Sequence, residues 1–288
     1  MLHRTSVRAI VLATLAMLCF AANSILCRLA LAPGLIDAAT FTTVRVASGA
    51  AMLGLVVWLR RQQLPSPTWI NLLSPLALFA YLIFFSFAYT RLHAGTGALI
   101  LIGAVQLTMF SIAFWEGERF TPSQWAGLGL ALFGFGYLVL PGVSAPDPIG
   151  VVLMTVSGVG WGCFSLLARG AHDPVAANAG NFLWCMLPAV IVSMLSADHF
   201  EVAPTGLLLA GLSGAIATGF GYIVWYLALR ELPATHAATV QLSMPALVAL
   251  GGALFLSEQL TVRLLIASVA MLGGIGLVFV QRAEKSAQ

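Results

Sequence analysis

The chain has 288 residues, of which 60% are hydrophobic and 8% are charged, and its formal net charge is +3. Soluble domains carry about a quarter charged residues, so the composition excludes a soluble protein and indicates a chain whose solvent is lipid. The basic residues are scattered rather than clustered, which excludes a nucleic-acid partner. The four cysteines lie within apolar runs without metal or disulfide spacing, so we expect neither a metal site nor a cofactor.

Ten apolar segments follow one another along the chain, each near the length of about 20 residues that a membrane-spanning helix needs. Breaks rich in polar residues, proline or glycine separate them. The first segment resembles a signal peptide, but it continues past Phe20 toward Leu26, and we interpret it as the first span. The predicted spans are 8–30, 38–59, 70–90, 95–115, 122–140, 149–169, 176–197, 205–229, 234–256 and 261–281. Pro245, within the ninth segment, predicts a kink beside Gln241 and Ser243.

Lysine and arginine residues are unequally divided between the two sides of this arrangement. One side carries Arg4, Arg8, Arg60, Arg61, Arg119, Arg169, Arg230, Arg282 and Lys285, and the other carries Arg28, Arg91 and Arg263. Because loops rich in lysine and arginine stay in the cytoplasm, both termini are predicted to be cytoplasmic. Ten spans are consistent with this prediction, because only an even number places both termini on the same side of the membrane. We expect a multi-pass membrane protein, and its short loops favour the bacterial inner (cell) membrane.

The two halves of the chain repeat each other. A shift of 141 residues sets Phe20–Arg28 against Trp161–Arg169, and a shift of 140 residues sets Glu118–Thr121 against Glu258–Thr261. Each unit holds five predicted spans, and an odd number of spans forces the second unit to be inverted relative to the first. Inverted repeats are typical of transporters. The predicted units are residues 1–143 and residues 144–288.

The sequence Gly-Glu-Arg-Phe-Thr at 117–121, its counterpart Ser-Glu-Gln-Leu-Thr at 257–261 and the glycine-rich last helix of each unit carry a family resemblance. They resemble the EamA type of the drug/metabolite transporter superfamily, and within it the bacterial aromatic amino-acid exporter group. The resemblance implies an all-α integral membrane fold, with ten transmembrane helices in two inverted five-helix repeats around a central cavity. It also implies that the last helix of each unit lies at the periphery.

Polar and aromatic residues at mid-membrane depth are the candidate site. Phe20, Asn23 and Ser24 share one helical face, and their repeat mates are Trp161, Phe164 and Ser165. The predicted substrate-binding residues are Phe20, Asn23, Ser24, Tyr81, Gln106, Trp161, Phe164, Ser165, Tyr222, Trp225, Gln241 and Ser243. Taken singly, each is better explained as a hydrogen bond between helices or as core filling. Taken together they predict a cavity, because unpaired polar groups in hydrocarbon are costly.

Arg45 is the one Arg, Lys, Asp or Glu predicted well inside a span rather than near its end, about 12 Å deep at 1.5 Å per residue. It either contacts a substrate carboxylate or has a structural role through helix-end carbonyls, and the structural role is favoured. No Asp or Glu lies at the centre of a predicted span, which disfavours proton-coupled export of cationic drugs. A lone arginine also disfavours phosphorylated substrates. A neutral or zwitterionic solute remains.

These observations predict a membrane transporter that exports amino acids, aromatic and other neutral ones, and related small metabolites by alternating access. The expected partners are a zwitterionic amino acid and the lipid bilayer, with the chain acting as a monomer. The alternatives are transport of a drug or a sugar-type solute, an intramembrane enzyme and a channel. An enzyme is disfavoured because Ser157 and Ser213 have no obvious base and no metal cluster is visible. A channel needs a more continuous polar lining.

Overall fold

The computed structural model describes residues 7–64, 72–142, 145–168, 171–232, 237 and 240–286. In these ranges the chain is helical, and the only β-type pairing is an isolated bridge between Ile36 and Val202. The predicted loop residues Arg4 and Arg169 lie outside the described residues.

The helices are numbered in chain order. They are α1 Val7–Leu31, α2 Ala38–Leu59, α3 Leu73–Tyr89, α4 Ala94–Trp115, α5 Pro122–Val139, α6 Pro148–Leu167, α7 Pro174–Leu195, α8 Pro204–Leu229, α9 Met244–Leu256 and α10 Val262–Ser286. Six of them, α1, α2, α4, α6, α7 and α8, are long and apolar enough to cross a membrane by length and composition. Helix α3, helix α9 and the part Val262–Val278 of α10 are shorter apolar helices.

Several helices begin at side chains that cap the first turn. The Asp147 carboxylate accepts a hydrogen bond from the backbone N–H of Gly150 at 2.8 Å, and Asp173 accepts from two backbone N–H groups of α7. Thr121 and Gln124 form a reciprocal capping box at the start of α5. Such caps satisfy N–H groups that have no partner within the helix. These capping residues lie at breaks that the sequence predicts.

The ninth predicted span differs from the described structure. Helix α9 begins at Met244, with Pro245 in its first turn, and a turn over Leu242 and Ser243 precedes it. The helical path is thus interrupted beside Gln241 and Ser243, where the kink was predicted, but Pro245 lies in the first turn of α9 and not inside a continuous helix. Proline is readily accommodated in the first turn of a helix, where its missing N–H has no partner to lose.

Four loops lie together at one end of the bundle. The α1–α2 loop meets the α7–α8 loop through the bridge between Ile36 and Val202, and the α3–α4 loop meets the α5–α6 loop through Arg91 and Asp147, whose charged groups are 3.6 Å apart. Helix α1 ends here with Arg28 in its last turn, and this end is called the Arg28 end. Every second loop of the chain lies at this end because successive helices run in opposite directions.

The helices α5 and α10 pack mainly against each other and against α4, at the edge of the bundle. Their contact needs glycine, because a Cβ added at Gly127 would lie 2.6 Å from the carbonyl oxygen of Gly274. The remaining helices form the main core: α6 packs on α3 and α4, α1 packs on α8 and α9, and α2 packs on α7 and α8.

Helix α8 contains a π-helical segment, Ser213–Phe220, in its middle. A π-helical segment changes which residues face a neighbouring helix, and such segments are frequent at functional sites. Gly214 lets this segment approach α2 closely, because a Cβ there would overlap the backbone carbonyl of Arg45. Thr218 belongs to the same segment and faces the site described next.

Candidate solute-binding cavity

A cavity lies between the two halves of the chain and is called the central cavity. Its empty space is about 560 Å³, including the part that opens to solvent. Residues from α1, α3, α4, α6, α8 and the start of α9 line it. They are Phe20, Asn23, Tyr81, Leu101, Ile102, Trp161, Ala217, Thr218, Tyr222, Gln241 and Met244. None of these residues carries a formal charge at neutral pH.

Four aromatic residues, Phe20, Tyr81, Trp161 and Tyr222, form the aromatic wall of the cavity. The Trp161 and Tyr222 rings are stacked, with centroids 5.6 Å apart and an angle of 10° between planes. Tyr81 lies against the other side of this group, 4.9 Å from Trp161, and Phe20 meets Tyr222 edge-on at 5.7 Å. Ring contacts of this kind hold the side chains in place. All four were predicted as binding residues, and the structure brings them together.

The polar groups of the cavity have few partners in the described structure. The Ser213 hydroxyl donates to Asn23 Oδ1 at 2.7 Å, and Asn23 is one of the lining residues. The Thr218 hydroxyl is buried without a hydrogen-bond partner, whereas Thr42 and Thr108 donate to carbonyls of their own helices. Buried polar groups normally have partners. A bound solute would supply the missing ones.

Arg45 lies directly behind the aromatic wall and is fully buried. Its Nη2 donates to the Tyr81 hydroxyl at 3.2 Å, and its guanidinium carbon is 4.8 Å from the centroid of the Phe85 ring. Its Nε and Nη1 have no hydrogen-bond partner. Among the described residues, no carboxylate lies within 4 Å of it. The helix-end carbonyls expected for a structural role do not bond to these two nitrogens.

Two other predicted aromatic residues support the wall from behind. Phe164 packs on Trp161 at 5.5 Å, and Trp225 packs on Phe20 at 6.2 Å. Both side chains are buried, and neither lines the cavity. Residues one turn along a helix face the same direction but lie at a different depth, so the sequence periodicity did not separate the wall from its support.

Four predicted polar residues do not line the cavity. Ser24 is fully buried elsewhere, about 100° around α1 from Asn23. The Ser165 hydroxyl donates to the carbonyl of its own helix at Trp161, 2.7 Å away. Gln106 is half-buried one turn beyond Ile102 on α4. Ser243 is exposed, and its hydroxyl donates to the Val240 carbonyl at 2.7 Å.

Sequence reasoning missed five lining residues, namely Leu101, Ile102, Ala217, Thr218 and Met244. Four of them are ordinary apolar residues in apolar helices, so their type carries no signal. Thr218 is polar and lies at mid-helix depth in α8, and its depth alone would have identified it as a candidate.

A second feature lies at the Arg28 end and is called the Glu258 cluster, made of Glu258, Arg28, His93 and Ala94. The Glu258 carboxylate lies 3.2 Å from Arg28 Nε and 3.4 Å from His93 Nδ1, and it accepts a hydrogen bond from the Ala94 N–H at 2.7 Å. Burial raises the pKa of Glu258, but these three donors outweigh burial and hold that pKa below its ordinary value. The cluster joins the end of α1 and the start of α4 to the α9–α10 loop.

Comparison with known proteins decides the class of this fold. The model of the EamA-like transporter family matches residues 7–140 and again residues 148–280. The chain belongs to the EamA-like transporter family. A solved crystal structure with 19% sequence identity covers 95% of this chain and 98% of its own, with a TM-score of 0.67, which shows a shared fold.

Related sequences agree with this membership. The chain is 46% identical over 281 residues to an uncharacterized protein of Pseudomonas aeruginosa, covering 98% of each chain. It is 28% identical to the threonine/homoserine exporter RhtA of Escherichia coli (strain K12), over 60% of each chain. It is 24% identical to the uncharacterized transporter YoaV of Bacillus subtilis, over 82% of this chain and 85% of YoaV. The EamA-like chain is therefore a multi-pass membrane transporter with bacterial relatives. EamA-like proteins are transporters rather than enzymes.

Proposed function

We propose that this EamA-like transporter exports amino acids, both aromatic and other neutral ones, and that they bind in the central cavity. The observation that carries the proposal is a cavity lined by residues of both halves, with an aromatic wall, two amide side chains and one hydroxyl, that of Thr218, without a hydrogen-bond partner. Apolar walls with a few placed polar groups are the usual form of a small-molecule site. The name of RhtA, a threonine/homoserine exporter, supports an amino acid as the solute class.

The lining fits a zwitterion with apolar bulk. The aromatic wall offers faces for an apolar side chain and for an ammonium group. Asn23, Thr218 and Gln241 are the lining residues outside the wall whose side chains can form hydrogen bonds. The lining has no carboxylate, which is the group that a proton-coupled exporter of cations needs. A neutral amino acid matches this combination better than a cationic drug or a phosphorylated sugar.

The transport mechanism proposed here is alternating access between two inverted units, residues 1–143 and 144–288, each with five spans. The family model matches the chain twice, once in each unit. Helix packing also supports the repeat. The repeat matches α1 with α6, α2 with α7, and so on to α5 with α10. Under this exchange, the pair α3–α6 corresponds to α8–α1, α4–α6 corresponds to α9–α1, and α2–α8 corresponds to α7–α3. All six of these helix pairs are in contact. The pairs α2–α7, α4–α9 and α5–α10 map onto themselves.

The Glu258 cluster has the position of a gate in this mechanism. It joins helices of the first unit to a loop of the second at the Arg28 end, which the distribution of lysine and arginine predicts to face away from the cytoplasm. The sequence repeat aligns Glu118 with Glu258 and Arg169 with Arg28, so the proposal implies a corresponding contact at the opposite end of the bundle. Alternating access would break the Glu258 cluster when that opposite end closes.

Counterflow in proteoliposomes tests the proposed function. Vesicles loaded with unlabelled phenylalanine or threonine should accumulate the labelled amino acid with saturable kinetics, and empty vesicles should not. Thr218→Val, which changes a lining hydroxyl to a methyl group, should lower this flux. Ser243→Ala, which changes an exposed residue outside the cavity, is the matched control and should not. Absence of saturable flux for every proteinogenic amino acid, with protein that is folded by thermal unfolding, would contradict the proposal.

A further inference from the structure

The environment of Arg45 contains an uncompensated positive charge. The side chain is fully buried in α2, and a buried charge is costly unless it is paired and hydrogen-bonded. In the described part of the chain, its compensation consists of the Tyr81 hydroxyl and the faces of the Tyr81 and Phe85 rings. Two guanidinium nitrogens stay without partners. An anion nearby would therefore be stabilised.

Tyr81 connects this charge to the central cavity. Its ring is part of the aromatic wall, and its hydroxyl oxygen accepts the hydrogen bond from Arg45 Nη2 at 3.2 Å. A hydroxyl has one proton to donate, and no acceptor for that proton is found among the described residues. A hydroxyl that accepts from a cation becomes a stronger donor, because hydrogen bonds in a chain polarise one another. Tyr81 can thus present a strengthened donor to a solute.

We propose that the Arg45–Tyr81 pair selects solutes with a carboxylate, with the Tyr81 hydroxyl donating to that carboxylate and Arg45 acting as the positioning residue behind it. This inference rests on the proposed function for its place in transport, and it specifies which end of an amino acid faces α3. The ammonium group and the side chain then lie toward Trp161 and Tyr222, whose stacked rings are also part of the wall.

Contacts with helix α6 fix the position of the Tyr81 backbone. The Ser157 hydroxyl donates to the Tyr81 backbone carbonyl at 2.9 Å, and a Cβ added at Gly160 would lie 2.8 Å from the Tyr81 backbone nitrogen. Helix α6 therefore holds the backbone of Tyr81 at close range, while Arg45 holds its hydroxyl. A donor held at both ends is arranged before the solute binds, which lowers the entropic cost of binding.

A binding experiment with two probes of nearly equal shape tests the inference. Thermal unfolding of the purified full-length protein is followed with 3-phenylpropionate, which has a carboxylate, and with 3-phenylpropionamide, its neutral analogue. A ligand that binds the folded state raises the melting temperature, and the stabilisation grows with the logarithm of the ligand concentration divided by its Kd. The wild-type protein should bind the carboxylate about tenfold more tightly than the amide, as expected for a hydrogen bond to a charged group.

Two variants separate the inference from a purely structural role of Arg45. Tyr81→Phe keeps the ring and removes the donor, so the roughly tenfold preference for the carboxylate should disappear while amide binding stays. Arg45→Lys should reduce the preference as well, because an ammonium lacks the planar fork of arginine. If Arg45→Lys does not fold, Tyr81→Phe alone decides. Ser243→Ala is the control and should keep the wild-type preference.

The outcomes separate this inference from the proposed function. Equal binding of the two probes by wild-type protein, binding of neither, or an unchanged preference in Tyr81→Phe would each overturn the role of Arg45 and Tyr81, whatever the counterflow result. A carboxylate preference that is lost in Tyr81→Phe, together with no amino-acid counterflow, would support the inference and contradict amino-acid export.

Discussion

The Glu258 carboxylate lies 3.2 Å from Arg28 Nε, although 230 residues separate the two in the chain. Both side chains are largely buried, with 9% and 15% of their surfaces exposed. The carboxylate also accepts from the Ala94 N–H, so that one side chain holds three segments together at the Arg28 end. Under alternating access, this contact would have to form and break in every transport cycle.

Removal of the Glu258 charge should destabilise the conformation in which the Glu258 cluster is formed. Glu258→Gln loses the ion pair with Arg28 and weakens the bond from Ala94, and the free energy of unfolding should fall by about 2 kcal/mol, as for hydrogen bonds to charged groups. Thermal unfolding in detergent measures the change. Glu116→Gln, which alters an exposed residue at the end of α4, is the control. Equal melting temperatures for both variants and wild type would show that the pair contributes nothing.

The stabilisation by Glu258 should depend on pH in a defined direction. Because its pKa is lowered in the folded protein, the stabilisation is present above the ordinary pKa of 4.5 and is lost as the pH falls through the lower, folded value. The groups that face the carboxylate are Arg28, His93 and the Ala94 N–H. The difference in stability between wild type and Glu258→Gln should therefore shrink below pH 4.5. A difference that grows on acidification would contradict the lowered pKa.

The contact between α5 and α10 should distinguish two glycines of the same helix. Gly127→Ala places a methyl group against the Gly274 carbonyl and should cost about 1–3 kcal/mol, as for overpacked cores. Gly129→Ala meets no atom within 4 Å, and it should be neutral or stabilising by about 0.5–1 kcal/mol, because alanine favours helix more than glycine does. Melting temperatures of the two variants test the pair. The packing described here is wrong if Gly127→Ala is as stable as Gly129→Ala.

Loss of a wall ring should affect aromatic solutes most. Trp161→Ala removes the ring that stacks on Tyr222, so the apparent affinity for phenylalanine should fall about tenfold, while the affinity for threonine should fall less. Competition in counterflow measures both. Trp58→Ala is the matched control, because Trp58 is 73% exposed at the end of α2. Equal losses for phenylalanine and threonine would indicate that Trp161 supports the fold rather than the solute side chain.

The sequence predicted the helix starts well where capping chemistry is local. Asp147 and Asp173 are each followed by proline, and both cap helices in the structure. Pro245 was misinterpreted because the same residue is compatible with a kink and with a first turn. The π-helical segment of α8 had no local sequence signal, and its close approach to α2 at Gly214 is a property of packing between two helices.

The candidate site was partly predictable for a similar reason. Depth in the membrane identified the four aromatic wall residues, because large or polar groups at mid-depth are conspicuous in an apolar helix. Depth could not tell Asn23 from Ser24, which are neighbours in the chain but face directions about 100° apart. It also identified both Arg45 and Tyr81, but not the contact between them, because that contact joins two helices whose relative rotation is a property of the whole bundle.

The most direct test of a solute-binding cavity between the two halves is chemical labelling at its lining. In a background without the four native cysteines, Asn23→Cys and Gln241→Cys should react with a membrane-impermeant maleimide, and a saturating amino-acid substrate should slow that reaction. Gln62→Cys, at an exposed position in the loop after α2 and outside the predicted spans, should react without such protection, because it does not line the cavity. Absence of labelling at both positions 23 and 241 from either side of the membrane, or labelling that no solute slows, would contradict the account.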